Sequence, residues 1–457
     1  MPASTTLLQR LLAAGAALSL VVAVAANASV ARALTAPTII VIDINPEGGS
    51  YALDDSDEDG VAVNGMLLFG ADDGTHGRDL YKSDGTVAGT VLVKDINPTG
   101  NSSPSYMVVM GTTAYFSAFN GETGWELWKS DGTEAGTMLV EDVNPAGNSQ
   151  PRDLAVVGST LYFGATDGMN GRELWKSDGT AAGTVMVENI NAGGDSSDLG
   201  ELATLGSTLY FVATDGWNDY ELWKSNGTEA GTVMVKDINV GGGSFPTYLT
   251  ALGSAIYFEA TDGMNGRELW KSDGTAAGTV LVKNINAGGD SGPGDLTTLG
   301  STLYFEANDG TSGYELWKSD GTTAGTVMVK DIRPSFGANA EYFKTFGNLL
   351  YFMANDGVNG TEMYLSDGTA AGTMRIPAPS ATDYVNCDCY DNPIRATSTG
   401  VFFTYDDNTV GSELAFTSAA LPETNTSGSA LALALLALSG ALAAGAVIAR
   451  RKELRAN

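Results

Sequence analysis

Three aspartates alternate along the chain at Asp55, Asp57 and Asp59, and Gly60 follows them. Carboxylates two residues apart, with a glycine to turn the backbone, form the first half of an EF-hand-like calcium loop. The twelfth position of such a loop must be a bidentate glutamate, and here it is Met66, so a full shell would need ligands from elsewhere. Calcium is the one cofactor the sequence raises. Cys387 and Cys389 are one residue apart, a spacing that strains a disulfide, and two thiolates alone make a poor zinc site; free thiols or a local bridge are expected, without a redox role. His76, the single histidine, sits in the turn Asp73-Gly74-Thr75-His76-Gly77 and reads as an exposed turn residue. Two carboxylates suffice for glycoside hydrolysis. Almost every acidic residue, however, belongs to a repeated turn or strand. A three-arginine cluster is also hard to assemble from Arg78, Arg152, Arg172, Arg267, Arg333, Arg375 and Arg395. No catalytic residue is singled out, and the expectation is a protein that is not an enzyme.

The elements that position these residues repeat. Glu-Leu-Trp-Lys-Ser-(Asp/Asn)-Gly-Thr begins at Glu126, Glu173, Glu221, Glu268 and Glu315, with looser copies at Asp79 and Glu362 and a degenerate one at Glu413. A near-constant period in the high forties fits a four-stranded propeller blade better than other repeat classes. One unit reads as four strands: 154–157; 160–165, ended by Asp167-Gly168; 172–177, closed by Asp178-Gly179-Thr180; and 184–190. No stretch of the period reads as a long helix, so the body is all-β. The first copy of the fourth-strand signature, Ile39 to Asn45, has no third strand before it, and the last third strand, Glu413 to Phe416, has no fourth strand after it. Pairing the two completes a blade and removes exposed sheet edges. The expected fold is an eight-bladed β-propeller whose N-terminal strand closes the last blade, with seven blades as the alternative if 376–399 forms none.

Repetition also bears on individual residues. Trp128, Trp175, Trp223, Trp270 and Trp317 occupy one position of the unit, where a large ring fills the space between blades. In each Asp-Gly-Thr, aspartate can bond the backbone two residues on and glycine permits positive φ. Lys129, Lys176, Lys224, Lys271 and Lys318 are expected to offset nearby Glu and Asp on exposed strand faces.

The 457 residues carry 24 Lys+Arg against 54 Asp+Glu, a formal charge of −30 that repels nucleic acid and anionic membrane surfaces. With 43% apolar residues the chain can bury a core. Residues 1–33 read as a signal peptide: a weakly basic start, an apolar stretch and a small-x-small site ending at Ala33, the substrate of signal peptidase. Residues 430–449 are small and apolar over a length that spans a bilayer, and the basic tail 450–457 would stay in the cytoplasm. The expected domains are thus the signal peptide, an ectodomain at 34–418, a linker at 419–429, a transmembrane helix and a short basic tail.

Leu421-Pro422-Glu423-Thr424-Asn425 ahead of that span resembles the cell-wall sorting signal read by sortases, which implies cleavage after Thr424 and attachment to the wall; Asn425 stands where the common pattern has glycine. The Asp-Gly-Thr turns are similar to the aspartate box of sialidase propellers, itself a structural turn. The repeat as a whole resembles the ELWxxDGT-repeat family of bacterial surface proteins over roughly 38–418, which implies secretion and repeat architecture. Loops at 97–106, 144–153, 239–248, 167–171 and 262–266 vary while the strands do not, as suits recognition. The functional expectation is an exported, cell-surface-anchored, non-catalytic propeller for adhesion or binding of an extracellular glycan or protein, possible cation assistance included. The alternatives are an extracellular glycan-active enzyme and a structural surface-layer component. An inward pair of close carboxylates with an arginine, absent from the repeat consensus, would favour catalysis.

Overall fold

The structure is a computed structural model and describes residues 39–46, 48–52, 60–217, 219–334, 336–375, 394–396, 401–406 and 412–417. Asp55, Asp57, Asp59, Cys387, Cys389, the signal segment through Ala33, the Leu421 to Asn425 stretch and the expected transmembrane helix lie outside the described residues. Among the described residues no helix is long and apolar enough to cross a membrane.

The four strands expected per unit form four-stranded antiparallel sheets. Seven arise from consecutive units: sheet 1 (60–94), sheet 2 (105–141), sheet 3 (152–188), sheet 4 (200–236), sheet 5 (247–283), sheet 6 (294–330) and sheet 7 (341–375). An eighth is assembled from both ends of the described chain, with Ile39–Ile42 as its outer strand beside Ser412–Thr417. Val41 stands opposite Ala415 and Ile42 opposite Leu414, so the displaced strand occupies the place the sequence pattern assigns it.

In sheets 1 to 7 the second strand is buried on both faces, as in Thr160–Thr166, and the third nearly so. The core is therefore a set of clusters between neighbouring sheets. Tyr115 and Leu127 of sheet 2 pack with Leu161, Phe163 and Trp175 of sheet 3, and the pattern recurs around the molecule. The five repeat tryptophans are all buried there, none more than 9% exposed.

Polar bonds join the same neighbours. Lys129 Nζ donates to the Gly179 carbonyl of the next sheet at 2.8 Å, and Lys82, Lys176, Lys224, Lys271 and Lys318 repeat the bond one sheet along. Each ammonium caps a turn carbonyl that its neighbour presents, and the charges of Lys129, Lys224 and Lys271 help, after the threonine hydrogen bonds, to lower Asp178, Asp273 and Asp320, in line with the expected offsetting of carboxylates. The turn itself is as the sequence implies. Asp131 Oδ1 accepts from the Thr133 N–H at 2.9 Å and its hydroxyl at 2.6 Å, with Gly132 at φ +87°.

Gly179 illustrates why glycine is required in that turn. Its φ is +88°, and a Cβ there would collide with the Tyr115 hydroxyl of the previous sheet. Gly179→Ala is expected to destabilise the protein by about 2–5 kcal/mol in denaturant unfolding, strain and overpacking together. Gly158, at φ +63° with open space around it, isolates the strain alone. Gly158→Ala is expected to lose about 1–2 kcal/mol.

Candidate active site

In sheets 2 to 7 the first strand begins with a β-bulge: Arg152 stands opposite Gly164, but Ala155 opposite Tyr162, so one extra residue is inserted. A bulge re-aims side chains. Here the second residue of each strand adopts a left-handed backbone, at Tyr106, Asp153, Glu201, Tyr248, Asp295 and Tyr342, with φ between 51° and 60°. Such conformations are uncommon for residues with side chains and cluster at functional sites. First strands of successive sheets lie side by side, so these six residues line one inner wall. Carboxylates there cross to the next sheet: Tyr248 N–H donates to Glu201 Oε2 and Tyr342 N–H to Asp295 Oδ2, each at 2.7 Å.

The fifth residue of the second strand faces the same wall. It is Gly70, Ser117, Gly164, Val212 and Met353 in five sheets, but Glu259 and Glu306 in sheets 5 and 6. These adjacent carboxylates stand outside the repeat consensus. Glu259 is 7% exposed. Its Oε2 accepts from the Thr247 hydroxyl at 2.6 Å and lies 3.4 Å from Arg267 Nη1. Burial and then the charges of Asp295, Glu341 and Glu259 push the Glu306 carboxyl up to about 8, so it carries a proton at neutral pH. Burial also raises Glu201, against the Tyr248 and Leu249 N–H groups that pull the other way, and raises Glu341 with help from Asp295. The Tyr248 phenol lies among these groups. Burial and the charges of Asp295, Glu259, Glu306 and Glu201 push it up to about 12, which keeps it a hydrogen-bond donor.

Sheet 3 presents the opposite sign. Arg172 donates to the Gln150 carbonyl at 2.6 Å and to Gln150 Oε1 at 2.9 Å, and burial and then Arg152 lower its pKa. Arg152 Nε lies 3.7 Å from Asp153 Oδ2. Two of the seven arginines are thus brought together.

Other sequence candidates take different places. His76 is in its expected turn, with Nδ1 2.8 Å from Asp73 Oδ2. Among the described residues no group of three or more His, Cys, Asp or Glu is arranged to hold a metal. A cavity of about 670 Å³ between sheets 5 and 6 is lined by Tyr257, Lys271, Asp273 and Asp320, all repeat residues at the opposite end of the strands from Glu259. The repeat glutamates, which the sequence reading left without a role, are fully buried clamps. Glu173 accepts from Ile190 N–H at 2.8 Å and Ser197 N–H at 3.1 Å, and so fastens the loop that leads to the next sheet.

No protein-family model matches the chain, and no curated protein matches it. The fold is all-β and like that of solved β-propellers. A puromycin hydrolase S511A mutant is 14% identical with TM-score 0.46, over 79% of this chain and 58% of that one. A structure from an analysis of two prolyl endopeptidases is 12% identical with TM-score 0.46, over 74% and 49%. The β-propeller domain of the Trilobed protease from Pyrococcus furiosus is 9% identical with TM-score 0.42, over 71% and 97%. The chain spans about half to three-fifths of the length of the first two. These similar structures come from hydrolases and peptidases, which stands against the expectation of a non-catalytic surface for adhesion or ligand binding, and at this identity they show the fold alone.

Proposed function

We propose that the chain is a hydrolase working by carboxylate acid–base chemistry, on a closed ring of eight blades that is exported and held at the cell surface. The observation that carries the reading is the unequal pair at equivalent positions of adjacent sheets: Glu259 bound by Thr247 and Arg267, and Glu306 raised to about 8 among other carboxylates. Glu259, held by a hydroxyl and a guanidinium, and Glu306, buried among carboxylates, are placed to act as base and acid. Glu259 takes a proton from water as the oxygen adds to the substrate, and Glu306 gives its proton to the departing group; exchange with solvent restores both. Glu201, Asp295 and Glu341 make the surroundings anionic, which favours a substrate bearing an amine. The ring closure is supported by the pairing of Ile39–Ile42 with Ser412–Thr417 and by contact between the first strands of sheets 8 and 1. Export and surface retention rest on the sequence of the two ends.

The test is turnover by the full chain, in detergent, of chromogenic amides and esters that differ only in carrying an amine or a neutral group. Amine-bearing members are expected to be cleaved faster than neutral ones, and faster than by the Glu306→Gln chain. Equal rates from both chains on every substrate overturn the reading.

A further inference from the structure

Two residues before each first strand the backbone is left-handed a second time, at Ser103, Gln150, Asp198, Phe245, Gly292 and Asn339. Five of these are small, flexible or polar. Phe245 is not: a bulky aromatic at φ +47° is a steric outlier, and its ring is still 41% exposed. Backbone preference does not account for it. The ring is nevertheless held in place. It lies on the backbone of Gly243, where a Cβ would come within 2.8 Å of it. Tyr220 packs against it with centroids 5.6 Å apart and planes at 34°. The Arg267 guanidinium stands 6.0 Å from its centre, and that same guanidinium binds Glu259. Three residues on, Tyr248 is also 41% exposed. A rigid, half-exposed aromatic surface thus borders the carboxylate site, joined to it through Arg267.

We propose that Phe245, with Tyr220 and Tyr248, is a substrate subsite that stacks an aromatic group next to the amine. The inference rests on the hydrolytic reading of the carboxylate site and adds the group the substrate carries beside it. The choice of an aromatic amine follows from what lies together on this wall. Flat rings stack on exposed aromatic faces. Glu201, Glu259, Asp295 and Glu341 outnumber the cations Arg267 and Lys344, so an anionic ring is disfavoured and a cationic one attracted. Phe245 is a specificity residue here, not a catalytic one.

The experiment measures binding without turnover. Tyrosinamide and alaninamide are titrated calorimetrically into the full chain carrying Glu306→Gln, with and without Phe245→Gly. Tyrosinamide is expected to bind at least tenfold more tightly than alaninamide, and Phe245→Gly to abolish that difference. Because glycine relieves the left-handed strain, Phe245→Gly is expected to melt at the same temperature as its parent or higher, which a packing residue would not allow. The proposal is overturned if the two amides bind alike, if the difference survives Phe245→Gly, if cellobiose competes as well as tyrosinamide, or if Phe245→Gly lowers the melting temperature. Binding without cleavage would remove the hydrolytic reading and leave the subsite. Cleavage indifferent to the aromatic group would do the reverse.

Discussion

Glu306→Gln is expected to lower kcat by about 10²–10⁴-fold, the range typical of a positioned proton donor, while KM changes little. The wild-type kcat should fall as pH rises through about 8, where Glu306 loses the proton that burial and its carboxylate neighbours otherwise hold on it. In the Glu306→Gln chain that limb of the profile should vanish, since glutamine does not titrate. Loss of the fold is checked in the same sample. Glutamine is isosteric with the protonated acid that burial and its carboxylate neighbours hold there, so the melting temperature should hold. Glu259→Gln is expected to lose activity to a similar degree with a different signature, because Arg267 and the Thr247 hydroxyl lose their carboxylate partner. An unchanged rate in either variant removes that residue from the mechanism, and an unchanged alkaline limb removes Glu306 as the donor even if the rate falls.

The fold was readable because the repeat states it several times over. Tyr-Phe pairs, Asp-Gly-Thr turns and a near-constant period specify strand, turn and next strand in each unit, and the stranded segment at Ile39 could go only beside Glu413. The carboxylate site was harder to see for the same reason. A reading that looks for what recurs treats Glu259 and Glu306 as part of the strand, whereas their meaning lies in what the other units carry there: Gly70, Ser117, Gly164, Val212 and Met353. Subtracting the consensus would have found them. The bulges could not be found that way. They place Asp153, Glu201 and Asp295 in left-handed conformations that no glycine or turn signal announces, because the strain is held by pairing with the second strand and by bonds to the next sheet. The lysines' acceptor, a turn carbonyl about fifty residues on, was not legible because it is a neighbour only in three dimensions.

The buried repeat glutamates bear on stability as well. Glu173 is fully buried and accepts the Ile190 and Ser197 N–H groups; Ser197 N–H also donates to the Arg172 carbonyl, so Glu173→Ala strands the Ile190 donor at about 1–3 kcal/mol in denaturant unfolding. The same position sets a pH dependence. Burial pushes the Glu126 and Glu173 carboxyls up to about 7 against the hydrogen bonds that favour their charge, and it raises Glu221, Glu268 and Glu315 as well. A carboxyl with a folded pKa above its unfolded one binds its proton more tightly in the fold. Its contribution is complete below the unfolded value near 4.5 and is lost as pH rises through the folded value. The turn aspartates Asp131, Asp178, Asp273 and Asp320 act in the opposite sense: hydrogen bonds from the following threonine lower them, and their contribution is lost as pH falls below the usual aspartate range. Melting temperature should therefore peak in mildly acidic solution, fall by several degrees toward pH 8, and fall again under strong acid. Glu173→Ala should lower the whole curve and flatten its alkaline side, because one of the titrating clamps is gone. A curve that rises from pH 5 to pH 8, or a Glu173→Ala chain with the parent's slope, would mean that these carboxylates stay ionised in the fold and that their hydrogen bonds, not their burial, decide their charge.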